Sequence, residues 1–349
     1  VTAAGDRGRA GEDGAREEPR PEGPAGPIAH DHRIDVVKER FAGRLMAYPN
    51  VTGVGVGLRM RAGRRLPEPC VRVFVRHKVP EAELRPSEVL PRELEGVTVD
   101  VVEGEFTHLR NGAPPLPPER RRARHFPFAV PGTSVAGLRV TAGTLGAAVY
   151  DATGGGSQLL LSNWHVLCGV PDCAAGEEIV QPGPFDGGTA PRDTLARLLR
   201  YAHTDRVDAA VAVLDGRRFL SDAIAGIGLV SGVGQPGLGT RARKSGRTTG
   251  VTGGIVDTVG LDVTVEGWLY RGQFTVSSED GDPVVAGGDS GSLTVDERNR
   301  AVGLLFAGRT DGAYWIANPI TDVIAALGIR FTPDPLPLDS AVLLAASEL

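Results

Sequence analysis

The chain has 349 residues, a length for two domains or for one domain with extensions, and its 41% hydrophobic content suffices for an ordinary core. A formal net charge of −5 argues against non-specific nucleic-acid binding by the chain as a whole. The 48 glycines, 26 prolines and only 5% aromatic residues favour many turns and short strands over long helices.

Residues 1–31 are rich in Gly, Pro, Glu and Arg and are expected to be disordered, because so few large apolar side chains cannot offset the entropy of ordering. From Ile34 the pattern changes: Ile34, Val37, Phe41, Leu45 and Met46 recur at helical spacing, which predicts one amphipathic helix ending near Pro49. VTGVGVGLRM, CVRVFVRHKV and GVTVDVVEG follow, each alternating apolar with polar or small residues as half-buried strands do. Residues 33–104 are therefore expected to form a small helix-plus-strands domain. Its GVGVG stretch is superficially like a dinucleotide loop, but it lies within a strand pattern and lacks the following helix.

Residues 105–135 hold prolines and an arginine run, Arg120 to Arg124, and are expected to be a solvated linker or a strap over the next domain. From 136 to 330 short apolar runs alternate with Gly-rich turns, as in GTLGAAVYD, SQLLLSNWHV, DAAVAVLD, SGSLTVD and AVGLLFAG, which suggests an all-β sandwich or barrel. A short helix is expected at TDVIAALG, and 331–349 form a Pro-punctuated tail. No run of about 18 apolar residues predicts a transmembrane helix. No apolar signal core is visible at the N-terminus, which favours the cytoplasm while leaving the compartment open. Three cysteines, Cys70, Cys168 and Cys173, cannot all pair within the chain; a Cys168–Cys173 bridge and two reduced thiols stay equally open. Cysteine and histidine spacings give no paired ligand motif, so no metal and no cofactor is expected.

Three blocks carry chemistry: LLLSNWHVLCG with His165, DRVDAAVAVLD with Asp208, and VAGGDSGSLTVD with Ser290. A hydroxyl is a weak nucleophile and needs a base; a neutral histidine supplies it, and a carboxylate fixes the histidine tautomer. The oxyanion of an acyl-transfer intermediate needs preplaced donors, and a Gly-rich loop offers backbone N–H groups, here those of Gly288 and Ser290. Asp205 and His203 lie near Asp208, but the apolar run after Asp208 marks it as the strand-end carboxylate, so those two are expected to be loop residues.

The blocks resemble the chymotrypsin-like (trypsin-like) serine peptidase family, bacterial type. SNWHVL is similar to its His block, VDAAVAVL to its Asp block and GGDSGS to its Gly-Asp-Ser-Gly-Gly block, with Ser292 in place of the last glycine. KSGRTTGVTGGIV is similar to a Gly-x-Thr-Thr-Gly segment of bacterial members. The resemblance covers 136–330. It implies a mainly β fold, a double antiparallel β-barrel preceded here by a small α/β unit. It also implies endopeptidase activity on a protein or peptide substrate, with His165 as base and acid, Asp208 as its orienter, Ser290 as nucleophile, and Gly288 and Ser290 as oxyanion donors. The specificity pocket is expected near Val284, Phe306, Ala307 and Gly308, none of them acidic, which points to a small or medium apolar preference rather than Lys or Arg. A catalytically silent or tightly regulated binding module of the same fold is the alternative. The N-terminal unit's expected role is open among substrate presentation, partner docking and occlusion of the cleft.

Overall fold

The computed structural model describes residues 28–61, 64–104, 106–108 and 119–332. The expected disordered segment and the C-terminal tail lie outside these, apart from 28–31 and 331–332. Ile28 is already tied down, its N–H donating to Leu238 O at 2.6 Å.

The N-terminal unit begins with α1 (His32–Met46), capped by Asp31, whose side chain accepts from Arg33 N. Strands β1 (Val51–Arg61), β2 (Arg64–Val75) and β3 (Val97–Glu103) follow, β1 antiparallel to β2 and β2 parallel to β3. Val37, Ala42 and Leu45 of α1 pack on Val54, Val73, Val97 and Val99, as the apolar periodicity requires. A three-residue strand, β4 (Phe106–His108), comes next.

The first half of the expected peptidase region is an eight-stranded antiparallel sheet. It contains β5 (Ser134–Gly137), β6 (Ala147–Asp151), β7 (Gln158–Ser162), β8 (Glu178–Val180), β9 (Thr194–His203) and β10 (Asp208–Leu214), with a single helical turn, α2 (Trp164–Leu167), after β7. The second half contains β11 (Arg241–Gly246), β12 (Gly250–Val265), β13 (Trp268–Ser277), β14 (Leu293–Asp296), β15 (Arg300–Arg309), β16 (Tyr314–Pro319) and the closing helix α3 (Ile320–Leu327). Its six strands pair in the order β11-β14-β15-β16-β13-β12, and β12 pairs back to β11, so this half is a closed antiparallel barrel. Its core holds Val256, Phe274, Val276, Val302, Leu305 and Trp315. A second core, with Val149, Leu161 and Val211 facing Leu293, Leu304 and Ile320, glues the two halves together. The fold class is the expected one, mainly β, with a closed antiparallel barrel and a small helix-and-strand unit in front.

One feature departs from the expectation, and a second decides between the two forms expected of residues 105–135. The N-terminal strands are not an isolated sheet. Gly53–Gly57 of β1 pair antiparallel with Thr258–Val263 of β12, just beyond the stretch of β12 that pairs with β11, so a single twelve-stranded sheet runs through both regions. Accordingly β1 is buried over seven consecutive residues, Thr52–Leu58, instead of alternating. Its small residues face packed neighbours: a Cβ on Gly57 would come within 2.9 Å of Arg72 Nε and Asp257 O. The arginine run is also not a solvated linker. Residues Glu119–Arg122 form a short 3₁₀ turn. Arg121 donates to Thr248 O at 3.1 Å, and Arg124 reaches the buried Asp193 at 3.1 Å. Two buried acids, Asp186 and Asp193, hold the arginines down, which makes the described part of this stretch a strap.

Candidate active site

Asn163 leaves β7 in extended conformation, with φ −75° and ψ 157°, and α2 starts at once, so His165 is presented from a fully buried turn. Asp208 is the first residue of β10 and has no exposed surface. The two meet in two places: His165 Nδ1 lies 2.7 Å from Asp208 Oδ2, and His165 N donates to Asp208 Oδ1 at 3.2 Å. The carboxylate is itself positioned by its backbone, since Asn163 Nδ2 donates to Asp208 O at 2.7 Å and Asp208 N donates to Asn318 Oδ1 at 3.1 Å. An aspartate acceptor on Nδ1 places that nitrogen's proton there and makes Nε2 the basic nitrogen of the neutral ring.

Ser290 precedes β14. Its Oγ donates to Phe306 O at 3.2 Å, and its backbone O accepts from Thr144 N at 2.8 Å. Thr144 links this loop to the histidine's side of the molecule. Its Oγ1 donates to Gly288 O at 2.8 Å, and its O accepts from Ser162 Oγ, at the end of β7, at 2.7 Å. Gly288 has φ +93°, and a Cβ there would come within 2.7 Å of Arg247 and Thr248, so both conformation and space call for glycine. Ser290 and His165 are 1% and 3% exposed, so little of either side chain meets solvent.

Under the serine lies a polar anchor that the motifs did not announce. Asp289, fully buried, accepts from Lys244 Nζ at 2.9 Å, from Thr248 N at 2.9 Å, from Thr249 N and Ala286 N at 3.1 Å, and from Thr249 Oγ1 at 2.6 Å. Burial alone would raise its carboxyl, but Lys244 and the Thr249 donors hold it below the usual carboxylate range. Lys244 lies in the KSGRTTG block, and what marks it out is its burial on a strand whose other charges are less buried.

Of the expected pocket residues, Phe306 and Ala307 are buried among Phe74, Tyr270 and Tyr314, and Val284 sits in the barrel core with Trp315. Gly308 follows Ala307 on β15. Asp205 lies in a turn beside Arg271, at 3.7 Å. His203 is not a loop residue: it ends β9 directly opposite Asp208. Its ring stacks between Trp164, at 3.9 Å, and Trp268, at 4.6 Å. Burial depresses its basicity, with Asp208 opposing and His165 reinforcing that shift. Cys168 and Cys173 form a disulfide just after α2. A groove of about 590 Å³ in the N-terminal unit, walled by His77, Leu84, Leu90 and Val101, shares no residue with this site.

Known proteins resemble the N-terminal unit, most of the chain, and a little over half of it in turn. The family model described as NARROW LEAF 1 N-terminal domain matches residues 39–102. The chain is similar to Protein NARROW LEAF 1 of Oryza sativa subsp. japonica, 28% identical over 304 residues, covering 73% of this chain and 51% of that protein. The chain thus spans about half the length of that relative. Among solved structures, Thermobifida fusca Protease A has a TM-score of 0.45 at 17% identity, covering 58% of this chain and 97% of its own. Cellulomonas bogoriensis chymotrypsin has a TM-score of 0.43 at 19% identity, covering 59% of this chain and 99% of its own.

Proposed function

We propose that the protein is a serine endopeptidase with His165, Asp208 and Ser290 as its catalytic triad. The observation that carries this reading is the buried His165–Asp208 pair, joined at 2.7 Å through Nδ1 and again through the histidine's own backbone N–H. Such a pair serves to hold an imidazole in one tautomer and one orientation, which is what a general base beside a serine needs. In the forward step Ser290 Oγ bonds to the substrate carbonyl carbon while its proton passes to His165 Nε2. The proton then moves to the leaving amine as the C–N bond breaks, and water repeats the relay to release the acyl group. The amides of Asp289, Gly291 and Ser292 donate to Ala286, Leu305 and Asp289 carbonyls. Gly288 N and Ser290 N are the oxyanion donors in this reading, and the left-handed Gly288 is the turn that aims them. The absence of an acidic residue among Val284, Phe306, Ala307 and Gly308 favours a small or medium apolar side chain before the scissile bond over Lys or Arg.

A fluorophosphonate probe is expected to label the protein at Ser290, and Ser290→Ala is expected to abolish labelling and to lower peptide hydrolysis by about 10⁴-fold or more. Absence of both labelling and hydrolysis over a broad casein and peptide panel would remove the enzyme reading. The low exposure of Ser290 and His165 supports a second form of it, a peptidase held in check and opened by a further event.

A further inference from the structure

One edge of β15 changes neighbours along its length. Thr294 and Val295 of β14 pair with Gly303 and Ala301. Next, Gly291 N donates to Leu305 O at 2.9 Å and Leu305 N donates to Ser292 O at 3.0 Å. Ser290 Oγ then reaches Phe306 O at 3.2 Å. Immediately beyond, β4 takes the edge, with His108 opposite Ala307, Thr107 opposite Gly308 and Phe106 opposite Arg309. The other edge of the same residues belongs to β16, which pairs with Ala307 and Gly308.

The position next to the nucleophile gives β4 a meaning beyond packing. A peptide that places a carbonyl at Ser290 Oγ and lies extended must run its preceding residues along this strip of β15, because strand addition is the available way to satisfy both backbones. β4 already makes that pairing. It is antiparallel to β15 and its chain direction runs toward Ser290, as such a peptide would. It is also firmly delivered. Phe106 is 3% exposed and meets the Phe74 ring edge-on at 5.1 Å, within a cluster that includes Tyr270 and Phe306. Just upstream, Gly104 N donates to Val75 O at 2.8 Å and Arg309 Nη1 to Glu103 O at 3.1 Å.

We propose that β4 is an internal competitor for the substrate's docking strip, so that an extended peptide engages the site only by displacing Phe106–His108. This rests on the peptidase reading for its biological sense, but the competition itself is a binding statement. A strand tethered this closely acts at an effective concentration on the order of millimolar, and a peptide arriving from solution sees its affinity scaled down to the fraction of molecules in which the strip is free.

The test uses the full chain carrying Ser290→Ala and a fluorescein-labelled peptide reproducing residues 103–110, EGEFTHLR. Thr107→Pro removes a strand N–H, and Phe106→Ala vacates the ring site that the peptide's own phenylalanine can refill. Fluorescence anisotropy is expected to show binding at least ~10-fold tighter in either variant than in the parent. Unchanged affinity in both variants overturns the proposal. Should both variants unfold in a urea control, hydrogen exchange on the parent decides. Excess peptide is expected to speed exchange at 106–108, and unaltered exchange under saturating peptide also overturns the competition. Fluorophosphonate labelling without the Ser290→Ala change is read separately. Tighter binding without labelling would retain the competitor and discard the peptidase; labelling without any change in binding would do the reverse.

Discussion

Two buried ion pairs, one under Ser290 and one at the joint with the N-terminal unit, look alike and do different work. Lys244–Asp289 closes at 2.9 Å and Arg72–Asp257 at 2.8 Å, and all four side chains are fully buried. At the joint, Asp257 is held by side chains: Arg72 Nη1 and, at 2.5 Å, Thr275 Oγ1. That pair ties strand to strand, β2 to β12 and β13. Under the serine, Asp289 also collects backbone amides from Ala286, Thr248 and Thr249. Those bonds fix the path of the main chain on either side of the Ser290 loop. A buried charge pair is a poor source of net stability but is costly to break, because it leaves one charge stranded. Where the stranded charge carries backbone amides, the damage reaches the neighbouring loop; where it carries side chains, it stays in the packing.

The comparison breaks first at Lys244. Lys244→Met strands Asp289, and the expected loss is about 3–5 kcal/mol of unfolding free energy together with a fall in fluorophosphonate labelling of roughly 100-fold. Urea titration and labelling kinetics measured on the same sample check it; normal labelling in a destabilised protein would show that the anchor does not shape the loop. Arg72→Met is expected to cost a similar amount, about 3–5 kcal/mol, yet to leave the labelling rate of the folded fraction within about threefold of the parent. A large loss of labelling there would mean that joint and site are coupled. The smallest effect sharpens the picture. Cys70 lies on β2 beside Arg72, donates to Gly57 O at 3.3 Å, and has its thiol pushed up to about 12 by burial. It is expected to resist iodoacetamide at pH 8 in the native parent and to react measurably faster in Arg72→Met, by mass spectrometry of the alkylated peptide.

What could be read from the sequence follows the range of the physics involved. His165, Asp208 and Ser290 stand out because each is embedded in a short contiguous pattern, and α1 because Ile34, Val37, Phe41 and Leu45 repeat on one face. The closing helix was legible for the same reason, whereas the strand pattern left sandwich and barrel open and the barrel came from the resemblance. The pairing of β1 with β12 was not. It joins residues some two hundred positions apart, and Gly53, Gly55 and Gly57 look the same whether they face water or a neighbouring strand. His203 was misplaced because a histidine after an irregular stretch carries no sign that two tryptophans enclose it. Lys244 was hidden by its charge, since a lysine in a strand is ordinarily solvated and only the partner, 45 residues later, changes that. The arginine strap needed Asp186 and Asp193, which lie some sixty to seventy residues further along, in a 3₁₀ turn and in the turn before β9.

The length of β12 bears on how this protein can be taken apart. Sixteen residues long, it lends its first part to β11 and its later part to β1. Cutting the chain before residue 136 would therefore leave a bare, apolar strand margin from Thr258 to Val263, with Leu261 and Val263 newly wetted. Such margins recruit other chains. The barrel half is thus not a cassette that can be lifted out and expressed alone, and the N-terminal unit serves as its permanent selvage.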